Sequence, residues 1–187
     1  MGMSLANLSV KSDYDCVKDY LIKTKPSGVN LYISEGGSGY TNIFPPNETF
    51  NFVSQLAQKI SQELDTLAVC GEVYDSDTVH IAFFNLGKLM FEYNLNENEK
   101  PTISGDINKL IATFQPVNFD IKKFKADLKT KETFAETKYE KIIMHFGLSY
   151  TLRETGHHYI KNCIRKYYSG SLKSYNRDPS HLKIEKI

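Results

Sequence analysis

Between Leu67 and Tyr93 apolar residues recur at every second position in three successive runs, and the two gaps between the runs are short. Val69 and Val73 share one parity, then Val79, Ile81 and Phe83, then Leu89, Phe91 and Tyr93. A period of two is the mark of strands with one buried face. Strands joined by turns this short must run antiparallel, because a parallel pair needs a long crossover. The turn at Asn85-Leu86-Gly87-Lys88 has the length of a hairpin. This meander excludes a doubly wound parallel sheet for the centre of the chain.

The flanks extend the pattern. Val29, Leu31 and Ile33 alternate with Asn30, Tyr32 and Ser34, and a second short strand is expected over Tyr40 to Phe44. After Pro45-Pro46, with Asn47 as the expected N-cap, Phe50, Val53, Leu56, Ala57, Ile60 and Leu64 fall at helical spacing. The order over residues 29–94 is therefore β-β-α-β-β-β. The predicted fold class is α+β, an antiparallel sheet with a helix on one face and a helical C-terminal part. Ser12 and Asp15 open a short helix at residues 12–23. Ile107, Leu110, Ile111 and Phe114 mark another, capped by Ser104 or Asp106. Ile121, Phe124 and Leu128 follow, and then Ala135, Tyr139, Ile142, Ile143 and Phe146 behind a Thr133/Glu136 capping pair. A last helix is expected around Ile160, Cys163, Ile164 and Tyr167. The predicted divisions are an N-terminal helix at 1–28, the sheet domain at 29–115, helices packed on it at 116–168, and a loosely held polar basic tail at 169–187.

Composition restricts function more than fold. The chain of 187 residues has a net charge of +1, so no global field recruits nucleic acid or an anionic membrane. The charge is unevenly spread. Residues 40–115 hold 10 acids and 4 bases, and residues 157–187 hold 2 acids and 7 bases. Cys16, Cys70 and Cys163 are widely spaced and odd in number, which fits free thiols in a reducing compartment and no disulfide framework. With no apolar leader or spanning run, the expectation is a soluble cytoplasmic protein without membrane contact.

Three motifs in the middle resemble an uncharacterised family of bacterial proteins. They are Val73-Tyr74-Asp75-Ser76-Asp77, Asn85-Leu86-Gly87-Lys88-Leu89, and Ser104-Gly105-Asp106 with Leu110 and Phe114. The resemblance covers residues 29–115 and extends to Phe134-Ala135-Glu136 and Phe146-Gly147-Leu148. Leu86 departs from the family pattern, which has an Asn-Gly turn there. The resemblance implies a recurring α+β unit in bacteria and carries no reaction with it.

Each candidate site has a plainer structural account. Asp75 and Asp77, with Glu72 nearby, form the densest acidic cluster, and hard cations take several oxygen ligands. A calcium loop fails at Val79 and Leu86, and a turn in which Asp side chains serve backbone N–H groups explains the cluster equally. Gly36-Gly37-Ser38-Gly39 leads into a strand, whereas phosphate loops open onto a helix. Glu154-x-x-His157 is half of a di-iron pattern with no second copy, and His158 points away from His157. Cys163 with His145 lacks any nucleophile context. Lys161, Arg165, Lys166, Lys173, Arg177, Lys183 and Lys186 interleave with tyrosines in the style of a nucleic-acid segment. No cofactor motif is present. The expected function is a non-enzymatic protein-interaction module binding a protein partner through Asp75 and Asp77. The alternatives are a small metal-dependent enzyme on the same acids, or a weak nucleic-acid binder through the basic C-terminus.

Overall fold

The computed structural model describes residues 5–24, 29–45, 49–75, 77–96, 99–148 and 184–187. Among these residues eight strands form one antiparallel sheet: β1 (Leu5–Val10), β2 (Tyr32–Glu35), β3 (Thr41–Phe44), β4 (Leu67–Tyr74), β5 (Thr78–Asn85), β6 (Lys88–Leu95), β7 (Thr102–Gly105) and β8 (Ile184–Lys186). Their spatial order is β7-β6-β5-β4-β1-β3-β2-β8. The expected α+β class and the antiparallel β-β-α-β-β-β core are both present.

Helices cover both faces. One carries α1 (Tyr14–Thr24) and α2 (Phe50–Glu63), whose Val17, Leu21, Val53, Ala57 and Ile60 bury against Ala6, Leu8, Ile43, Cys70 and Phe84. The other carries α3 (Ile107–Phe114), α4 (Ile121–Lys129) and α5 (Ala135–Met144), packed on Val69, Val73, Ile81, Phe83 and Tyr93. At its centre Phe83 and Phe146 stand 4.6 Å apart, and Phe124 meets Phe146 edge-on at 5.5 Å. Each such side chain, once buried, contributes about 1.5–3 kcal/mol of transfer free energy.

Several expectations are corrected here. The segment 1–28 contains more than a helix: Leu5–Val10 is a strand, buried at all six positions, between β3 and β4. Its Asn7 and Ser9 are buried polar residues, and the Ser9 hydroxyl donates to Asn42 Oδ1 at 2.7 Å. In β6 a bulge opposite Phe83/Phe84 puts Leu89 across from Phe84, so Leu89 is half exposed and does not share the face of Phe91. The expected Thr133/Glu136 capping pair does not close α5, whose N-cap is Phe134 with no side-chain bond. Asp106, one of the two expected caps, accepts from the N–H groups of Asn108 and Lys109 and caps α3. The end of the predicted tail is held. Ile184–Lys186 pairs with β2, and Glu185 binds Lys18 Nζ at 2.7 Å and the Tyr14 hydroxyl at 3.0 Å. Asn47 and the predicted helix around Ile160 lie outside the described residues.

Candidate functional site

The acidic cluster is divided by the sheet. Asp75 and Asp77 sit in the β4–β5 turn, where Asp75 takes the left-handed φ of 49° that Asp tolerates and Asp77 N–H donates to the Tyr74 carbonyl at 3.1 Å. Glu72 stands opposite His80 on the α2 face. Its Oε2 accepts from Phe50 N–H at 3.0 Å, satisfying an orphan donor at the start of α2, which Thr49 leaves without a side-chain cap. Glu72 is thus a capping group and does not converge with Asp77. Among the described residues no group of three or more His, Cys, Asp or Glu is placed to hold a metal.

Asp77 instead lines a cavity of about 430 Å³ on the other face, bounded by the β4–β5 turn, the β6–β7 connection and the α4–α5 loop. Tyr93, fully buried near the end of β6, forms part of its wall, and the Tyr93 hydroxyl has no hydrogen-bond partner among the described residues. Burial, with a smaller push from the Glu132 charge, raises this phenol to about 12, so it is a neutral donor at physiological pH. Phe134 lies at the cavity with 54% of its surface exposed. Around it Asp77, Glu99 and Glu132 are matched by Lys100, Lys129 and Lys131.

The α4–α5 loop owes its position to a lysine. Lys138, fully buried in α5, donates from Nζ to the carbonyls of Asp127 and Thr130, and so closes the C-terminal end of α4. Its Nζ lies 6.0 Å from the centre of the Tyr93 ring. Burial lowers its affinity for a proton, and the carboxylates of Glu132 and Asp127 oppose that shift. Glu132 is held by Lys141 at 2.6 Å. Behind the loop, His145 Nε2 meets Asp127 Oδ2 at 2.8 Å, against the rings of Phe119 and Phe124.

Of the residues singled out in the sequence, Asp77 reaches this site. His145 pairs with Asp127, while Glu154, His157, His158, Cys163 and the basic residues from Lys161 to Lys183 lie outside the described residues. The Gly36–Gly39 loop turns directly into β3. Sequence reasoning missed Tyr93 as a polar group and missed Lys138 altogether. The available signal was a lysine on the apolar stripe of α5, three residues after Ala135 and four before Ile142. No helix among the described residues is long and apolar enough to cross a membrane. Comparison of the chain with protein-family models, curated proteins and solved structures found no match.

Proposed function

We propose that this chain is a protein-interaction module and that the cavity between the β4–β5 turn, the β6–β7 connection and the α4–α5 loop receives a side chain of its protein partner. The observation that carries this reading is the Tyr93 hydroxyl, buried at the cavity without a partner among the described residues, beside the half-exposed ring of Phe134. A buried donor left unbonded costs stability, so a ligand acceptor that reaches it recovers that cost. An aromatic centre with a rim of mixed charge is the anatomy of a protein–protein contact. The balanced rim gives no excess of positive charge for a nucleic-acid backbone. Asp77 belongs to this surface, and Asp75 adjoins it in the same turn. The resemblance to the uncharacterised bacterial family is compatible with such a module and rests on its three motifs.

The test is selection of a random peptide display library against the immobilised protein. Peptides that bind the wild-type chain should lose affinity with Phe134→Asp and, less severely, with Tyr93→Phe. If every selected peptide binds these variants as well as the wild type, and both variants are folded, the cavity is not the partner site.

A further inference from the structure

Among the described residues β7 is the last strand at one edge of the sheet, and all four of its residues are exposed. Open edges in stable monomers are usually guarded by Lys, Pro or a bulge within the strand. β7 is short and follows Lys100-Pro101, but Thr102–Gly105 itself holds neither Lys nor Pro, and Ile103 leaves 41% of its surface in solvent. We propose that β7 pairs antiparallel with β7 of a second copy of this chain, across a two-fold axis at Ile103. The edge shares Lys100 with the rim of the cavity, but the inference does not depend on what the cavity binds.

Symmetry selects the register. A two-fold axis normal to the sheet keeps each side chain on its own face, so cross-strand partners must share parity and the axis must pass through a residue. Centring on Ile103 pairs the two isoleucines with each other and sets Thr102 opposite Ser104 in both directions. Beyond the ends of the paired strands it brings Lys100 of each copy to the end of β7 where Asp106 of the other caps α3, twice. Both side chains are exposed, and the capping bonds of Asp106 use Oδ1, leaving Oδ2 for the lysine. Centring on Thr102 sets Glu99 opposite Gly105, and centring on Ser104 sets Asp106 opposite Thr102; neither matches the charges. Opposite charges and apolar pairs placed directly across two strands are favourable, and like charges there are not. A stranger's peptide would need to supply this sequence of partners, whereas a second copy already has it. A contact of this length belongs to the weak, reversible class of interfaces.

The experiment is sedimentation velocity over a wide concentration range, with far-UV circular dichroism and melting as fold controls. The wild-type chain should dimerise reversibly, and Ile103→Lys should weaken the dimer on the order of tenfold or more by setting two lysines face to face. A second arm uses Ile103→Cys in a Cys16→Ser/Cys163→Ser background. Residues directly opposite in an antiparallel pair lie within disulfide range, so mild oxidation should give a covalent dimer. A chain that stays monomeric at millimolar concentration overturns the proposal. So does a dimer that Ile103→Lys leaves intact, or a dimer that the Ile103→Cys substitution fails to cross-link.

Discussion

The hydroxyl of Tyr139 in α5 donates to Asn7 Oδ1 in β1 at 2.5 Å, in the middle of the molecule. The ring that carries it rests on Gly71 of β4, where an added Cβ would collide with Tyr139 Cε2. One side chain therefore ties a helix to two neighbouring strands, and it uses the missing side chain of Gly71 to do so.

Two substitutions separate the bond from the seat. Tyr139→Phe removes one buried hydrogen bond and should cost about 1 kcal/mol in denaturant melts. Gly71→Ala forces the ring to move and should cost about 1–3 kcal/mol, as overpacked cores do. If Gly71→Ala is the milder change, the ring is not seated there.

Glu72 and Asp77 are expected to answer differently although they lie close together in sequence. Glu72→Ala removes the acceptor at the start of α2 and should lower stability by about 0.5–2 kcal/mol, the range for a lost N-cap. Asp77→Asn, in an exposed turn, should cost less than about 0.5 kcal/mol. Chemical denaturation of the two variants side by side checks the difference.

Leu86 and Gly87 form the β5–β6 turn with φ values of 50° and 75°. Both values lie in the left-handed region, which a leucine adopts at a cost and Asn adopts readily. Leu86→Asn should raise stability by about 0.5–1 kcal/mol. An unchanged or lower melting temperature would show that the half-exposed Leu86 side chain contributes packing that outweighs the turn.

Ile81 is completely buried beneath the helices on the α3–α5 face. Ile81→Asp introduces an unpaired carboxylate there and should unfold the chain or cost more than about 4 kcal/mol. Circular dichroism at room temperature is sufficient to see it.

The tyrosines set an alkaline limit. Burial raises Tyr40 and Tyr93 from near 10 to about 12. A folded value above the unfolded one stabilises the native state below pH 10, and that contribution is lost as pH rises from 10 towards 12. Phenolate absorbance should therefore lag at pH 10–11 and rise together with unfolding. Tyr93→Phe should soften this loss and, at neutral pH, raise stability by about 1 kcal/mol by removing a buried hydroxyl that has no partner among the described residues. A Tyr93→Phe protein that is less stable at neutral pH would mean that the hydroxyl is bonded in solution.

The central hairpins were legible because alternation and turn length both depend on residues close together in sequence. Val79, Ile81 and Phe83 occupy the face that their parity assigns. β1 escaped detection because Asn7 and Ser9 look solvent-exposed by residue type, and the partners that let them be buried, Tyr139 and Asn42, come much later in the chain. The β6 bulge defeated parity at Leu89 because one extra residue reverses the face of everything before it. In the candidate site Asp77 was visible as a turn residue. Parity placed Tyr93 inside but could not say whether its hydroxyl would find a partner, since that depends on how Lys138 sets the α4–α5 loop.

The strand that begins the described chain lies between β4 and β3, and its neighbours on the two sides form groups of unequal size. Cutting after residue 11 would leave β7-β6-β5-β4 on one side and β3-β2-β8 on the other, with two raw edges facing an empty slot. β1 pairs with six residues of β4 and three of β3, so its loss removes backbone pairing on both sides at once. Among the described residues β1 is the strand through which the two groups become one sheet.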